Sequence, residues 1–138
     1  MSKPIKCNKT IIWLEENILF CKFIGDECNN TKFSKDCLEE YIRVITEISD
    51  GSYFPLVIDL KQLKNNYALS VIKTMANHLE FRSAILSKSF VVNSFYVQFA
   101  FIASKVIQDP VAPNKVFLSY NKAVAFSLET NQSFNALY

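Results

Sequence analysis

The apolar positions of this chain fall into short β-like runs and longer helical stripes. Thr10–Leu14 (TIIWL) and Ile18–Ile24 (ILFCKFI) are two β-rich runs with Glu15, Glu16 and Asn17 between them, a spacing that predicts a hairpin. In the second run Leu19, Cys21 and Phe23 alternate with Ile18, Phe20, Lys22 and Ile24. Both sets are largely apolar, so this strand is expected to be covered on both faces. A polar loop over Gly25–Lys32 follows. Leu38, Tyr41, Ile42, Ile45 and Ile48 then recur at helical spacing. Ser34 as N-cap and Asp36 in the first turn start that helix, and Asp50-Gly51 ends it.

Phe54–Leu60 (FPLVIDL) is a continuous apolar run that predicts a buried parallel strand with Pro55 at its start. Lys61–Tyr67 is a polar loop. Ala68–Phe81 is a second helix with Ala68, Val71, Ile72, Met75, Ala76 and Leu79 inward. Ser89–Val92 is a short strand, and Ser94–Gln108 a third helix. A stiff connection, DPVAP, leads to the strand Lys115–Ser119 and the helix Tyr120–Glu129. Tyr120, Ala123, Val124, Ser127 and Leu128 are expected inward on it. Thr130–Tyr138 is expected as a loose tail. The order β-β-α-β-α-β-α-β-α implies parallel pairing through right-handed crossovers, with a leading antiparallel hairpin. The fold class is α/β: a small mixed β-sheet of about five strands with about four helices. One domain over residues 1–138, with its core at about 10–129, accommodates all of it.

The third helix is unusual because it is apolar on nearly every side. Its broad arc holds Phe95, Tyr96, Phe99, Ala100, Ile102, Ala103, Val106 and Ile107. Ser94, Gln98, Ser104, Lys105 and Gln108 share the other side, together with Val97 and Phe101. If the arc packs on the sheet, Val97 and Phe101 are left in water. They are then either isolated surface hydrophobes or a contact patch for a second copy or another protein. An apolar ligand such as a lipid tail beneath this helix is a variant of the second reading.

Composition narrows the functional classes. Fifteen Lys and Arg against thirteen Asp and Glu give a net charge of +2, and no basic run forms the stripe that phosphate backbones require. Nucleic acid is therefore not an expected partner. Two glycines leave no glycine-rich phosphate loop. Cys7, Cys21, Cys28 and Cys37 form no CxxC pair, and no histidine stands at zinc-ligand spacing from them, so no metal is expected. MSKPIKCNKT has no apolar signal region. The expectation is a cytoplasmic protein with reduced thiols, and Cys21 a small core hydrophobe. No uninterrupted apolar run reaches the ~18 residues of a spanning helix.

Four segments carry a family resemblance: VIDLK (Val57–Lys61), FVVNSFYVQFAF (Phe90–Phe101), APNKVFLS (Ala112–Ser119) and KAVAFSL (Lys122–Leu128). In their order and spacing they resemble the SpoIIAA-like, or STAS, group, whose founding members are bacterial anti-sigma-factor antagonists. More closely, they are similar to small stand-alone STAS/SEC14-type bacterial proteins, many without a known function. The resemblance runs from about Ile11 to Leu128. It implies the SpoIIAA-like fold; no enzymatic activity and no cofactor are expected, because no Cys–His, Ser–His–Asp or clustered-carboxylate pattern is visible. The phosphorylated antagonists carry a serine pair with glycine after the Asp-Leu strand. The matching stretch here, LKQLKNNYALSV, has one serine, Ser70, and no glycine. The phospho-switch signature is missing.

Ser70 is the phosphorylation candidate that remains, beside the plain reading of a helix-surface serine. Asp59 stands at the carboxyl end of a parallel strand, where ligands of open α/β sheets gather. Asn93, Ser94 and Ser119 should reach the same edge and could form a polar site with it. The competing reading is that these residues cap a loop and two helices. His78 has no carboxylate partner at helical spacing, and Glu15-Glu16, Asp26-Glu27 and Glu39-Glu40 read as solvated charge. No catalytic constellation is visible. The expected function is a STAS-like binding or regulatory module acting by protein contact, as a homodimer or with another protein, through the 94–108 helix. The alternative is a carrier or sensor of an apolar, lipid-like ligand at a membrane surface.

Overall fold

The computed structural model describes residues 3–7, 9–25, 33, 35–76, 85–103 and 113–137. Ser34, Cys28, Asp26-Glu27, His78, Leu79 and the 104–108 end of the third helix lie outside these, as do the expectations attached to them. Six strands form one sheet: β1 (Ile5–Cys7), β2 (Thr10–Glu15), β3 (Ile18–Phe23), β4 (Phe54–Asp59), β5 (Ile85–Val91) and β6 (Asn114–Phe117). Four helices accompany it: α1 (Lys35–Ser49), α2 (Asn65–Ala76), α3 (Phe95–Ala103) and α4 (Tyr120–Leu137). The strands lie in chain order across the sheet. β1, β2 and β3 pair antiparallel, and β3 to β6 pair parallel.

The expected mixed sheet and its β-α alternation are observed, with six strands rather than about five. β1 is the addition. It is three residues long with one buried side chain, Cys7, too short to show a period in the sequence. β2 and β3 meet through a two-residue turn, since Glu15 pairs with Ile18. Glu16 and Asn17 take φ of 51° and 62° there, the left-handed pair that suits the twist of a tight hairpin. Pro55 is the second residue of β4, beside a register shift between Phe54 and Leu56, as a residue without an N–H donor requires.

Side-chain alternation sorts the core into two layers. Leu19, Cys21, Phe23, Leu56, Ile58 and Phe90 meet α1, α2 and α3 on one face. Ile18, Phe20, Val57 and Val91 meet Ala123 of α4 on the other. β3 is therefore covered on both faces along most of its length, as its two apolar sets imply. The larger layer holds an aromatic knot in which Phe23, Phe33 and Tyr41 lie 5.7–5.9 Å apart, centroid to centroid. The buried Thr10 hydroxyl donates to the Tyr41 oxygen across 2.9 Å and ties β2 to α1.

Three boundaries differ from expectation, each set by tertiary contact rather than by local polarity. β5 begins at Ile85 rather than Ser89, because Ser87 and Lys88 are strand residues and fully buried. α2 begins at Asn65, so part of the expected 61–67 loop is helical and Tyr67 is buried in it. α4 runs to Leu137, and residues 130–137 are helix rather than a loose tail. Two contacts hold that extension. Asn131 Nδ2 donates to the Asn17 carbonyl at 2.9 Å, and Phe134 lies 6.0 Å from Tyr53.

Candidate functional site

The carboxyl ends of the parallel strands bring the polar candidates to one edge, each holding local backbone. Asp59 Oδ1 accepts from the Lys61 N–H at 3.0 Å. Asn93 Nδ2 donates to the Lys61 carbonyl at 2.6 Å. Together they fix the turn after β4 to the end of β5. Ser94 Oγ accepts from Tyr96 N at 3.0 Å and caps α3. Ser119 Oγ accepts from Lys122 N at 3.3 Å and caps α4. Ser70 Oγ accepts from Phe33 N at 2.9 Å, which anchors Phe33 beside α2.

A hollow opens beside that edge, on the α4 face. It measures about 280 Å³ and is lined by Trp13, Phe20, Lys22, Val57, Asp59, Lys61 and Tyr120. Register explains the assembly. Trp13 faces Phe20 across β2–β3, Phe20 faces Val57 and Lys22 faces Asp59 across β3–β4. Neighbours in register share a sheet face, so all five project toward α4. Helix α4 packs on β4, β5 and β6, and its first residue, Tyr120, closes one side. Trp13 and Phe20 stack at 5.2 Å and 14°, and Phe20 and Tyr120 at 6.1 Å and 27°. Lys61 Nζ stands 5.5 Å over the Tyr120 ring. Burial, then the charges of Asp59 and Glu15, push the Tyr120 phenol above its ordinary range, so it stays protonated at neutral pH.

A smaller hollow of about 250 Å³ lies past Phe20 and Tyr120, bounded by Glu15, Glu16, Ile18, Asn121 and Val124. The aromatic hollow was legible only in part. Asp59 was singled out from its strand end, but Trp13 and Lys22 gain meaning only once β2, β3 and β4 are neighbours.

The second candidate surface is α3, and the structure reverses the expected rotation. Val97 and Phe101 are buried, at 1% and 7% exposure, within the larger core layer. They are not surface residues, which corrects their assignment to an interface. Phe95, Tyr96, Phe99 and Ile102 are exposed at 77%, 59%, 75% and 70%. Gln98, placed outward by its polarity, donates from Nε2 to the Val116 carbonyl of β6 at 3.2 Å. The physical reason is that α3 packs against α2 and β6. A helix apolar nearly all round gains almost as much by burying either side. Its cap at Ser94 and the Gln98 bond then set the rotation.

Among the described residues no helix is long and apolar enough to cross a membrane, and no group of metal-ligating side chains occurs. Among the described residues, Cys7, Cys21 and Cys37 take part in no disulfide.

No family model and no curated protein matches the chain in sequence. Among solved structures it is similar to an uncharacterised protein of the DUF3478 family, with a SpoIIAA-like fold, from Shewanella loihica PV-4. The identity is 16%, the match covers 92% of this chain and 98% of that one, and the TM-score is 0.53. With the sequential strand order and the helix placement above, that likeness establishes that the chain has a SpoIIAA-like fold.

Proposed function

We propose that this chain is a non-enzymatic binding module that acts by protein contact, with α3 as its contact helix and a second copy of the chain as its partner. The observation that carries the reading is the row of exposed side chains Phe95, Tyr96, Phe99 and Ile102 on one helix. An aromatic side chain carries about 150–250 Å² of surface, so at these exposures the four present roughly 500 Å². That is at the upper end for the largest apolar patch of a monomer. It also supplies most of the ~800 Å² that each side of a standard interface buries.

Charge favours a second copy over other occupants. The described helix, FYVQFAFIA, has no ionisable group other than the Tyr96 phenol. Pairing it with itself brings no like charges together, as a two-fold interface demands. A helix lying on an anionic membrane carries Lys and Arg on its polar face, and the described residues of α3 include none. A lipid tail beneath α3 is disfavoured because Val97 and Phe101 fill that space. We place such a module in a cytoplasmic setting, where thiols stay reduced.

Size-exclusion chromatography with light scattering tests the reading. The wild-type chain should run as a dimer, and Phe95→Glu/Phe99→Glu as a folded monomer with an unchanged circular dichroism spectrum. A wild type that stays monomeric at high protein concentration overturns the second copy as partner. A dimer that survives the double substitution overturns the assignment to α3.

A further inference from the structure

The hollow between Trp13 and Tyr120 lies on the opposite sheet face from α3, and its chemistry specifies a different kind of occupant. We infer that it binds a small planar aromatic molecule bearing a carboxylate or similar anionic group. This goes beyond the contact reading and stands without it.

Three features of the site specify that class. Its size is about 280 Å³, just below the ~300 Å³ at which small-molecule pockets usually begin, so it suits one or two rings rather than an acyl chain. Its walls are flat and nearly aligned: Trp13, Phe20 and Tyr120 form a row of rings tilted by only 14° and 27° from one to the next. Trp13 is only partly buried, and a flat ring seated beside it continues the row with the offset stacking that aromatic pairs favour. The floor, Val57, is apolar and buried.

The rim gives the sign of the charge. Lys22 and Lys61 stand against a single lining carboxylate, Asp59. Asp59 already accepts a bond from the Lys61 main chain, and Lys22 is its neighbour across the β3–β4 pair. Tyr120, the first residue of α4, lines the same hollow, which sets the positive end of an 18-residue helix beside it. A ligand anion at the mouth therefore meets two ammonium groups and a helix N-terminus, while its ring lies against the aromatic wall.

The chain has one tryptophan, so Trp13 supplies a single indole N–H resonance as a local reporter. The test is a titration of the ¹⁵N-labelled chain with 2-naphthoate, with the neutral 2-naphthylmethanol, and with 2-naphthylmethylammonium. The expected result is a saturable shift of the Trp13 indole signal with 2-naphthoate. The alcohol should bind about threefold more weakly, the scale of an exposed ion pair, and the ammonium compound more weakly still. Lys22→Met/Lys61→Met should bring the carboxylate down to the affinity of the alcohol while leaving the alcohol unchanged. No saturable shift with any of the three overturns the site. Equal or tighter binding of the alcohol or the ammonium compound overturns the anionic class, and a double variant that keeps its full preference for the carboxylate overturns the assignment of that preference to Lys22 and Lys61. Phe95→Glu/Phe99→Glu should bind 2-naphthoate as the wild type does, so failure of the dimer and failure of the pocket are read separately.

Discussion

Glu16 and Asn17 place the most particular backbone demand on their side chains, since both occupy the left-handed region. Asn tolerates that conformation through its short polar side chain, whereas Glu pays the Cβ penalty without that relief. Glu16→Asn should therefore raise stability by roughly 0.5–1 kcal/mol, a gain of about 2–4 °C in Tm. Thermal unfolding followed by circular dichroism checks this, and a lowered Tm would contradict it. The thiols act at the same scale. Burial, reinforced by the contact with Glu40, pushes Cys7 from 9.0 up to about 11, and full burial pushes Cys21 up further. Both hold their protons more tightly folded than unfolded. Their contribution to stability is whole below pH 9.0 and falls as pH rises, the part from Cys7 being lost through about 11. Denaturant titrations from pH 8 to about 11 should show stability falling. The decline should be shallower in Cys7→Ala, and an identical slope would remove Cys7 from the account.

At the scale of elements, small residues decide how closely α4 approaches the sheet. Ser89 pairs with Val57 on the α4 face, and Ala123 and Ser127 are fully buried opposite. Ser127 returns its hydroxyl to the Ala123 carbonyl at 3.0 Å. The Ser89 hydroxyl is buried without a partner among the described residues, so the side chain serves as a spacer rather than a donor. Ser89→Ala should leave stability unchanged or raise it by up to about 1 kcal/mol, by removing a desolvated hydroxyl. Ser89→Leu should cost about 1–3 kcal/mol by lifting α4. Urea midpoints of the two variants decide it, and a marked loss in Ser89→Ala would show that the hydroxyl is bonded. The same strand shows why element limits were only partly legible. ILSKSFV reads as half polar, yet the place of β5 between β4 and β6 buries Ser87, Lys88 and Ser89 alike. The α4 extension was missed because its anchors, Asn17 and Tyr53, are more than 75 residues away in the chain.

For the whole molecule, the two candidate surfaces lie back to back. α3 belongs to the three-helix face, and the aromatic hollow to the face that α4 covers from β4 to β6. A dimer through α3 would leave both hollows open, so ligand binding and association should vary independently. On the single-helix face α4 packs on β4, β5 and β6 and meets the β1–β2–β3 half at Ile18 and Phe20 of β3. Trp13, at the centre of that half, stays partly exposed and is available as a ligand wall.

By resemblance, four segments of the sequence implied the SpoIIAA-like fold, and the sequence by itself determined the β-α alternation, the hairpin and the two-sided burial of β3. These follow from apolar period and turn chemistry, which are local. It also located α3 as the anomalous helix, because an excess of apolar residues is visible without a fold. Only the tertiary structure decided which side of α3 faces water. A helix apolar on most of its circumference has no preferred rotation, and the cap at Ser94 and the bond from Gln98 to β6 supply one. Val97 and Phe101 went inward for that reason, leaving Phe95, Tyr96, Phe99 and Ile102 exposed. The hollow likewise waited on the structure. Its walls come from three strands and a helix start spread from Trp13 to Tyr120, and strand register alone brings them together.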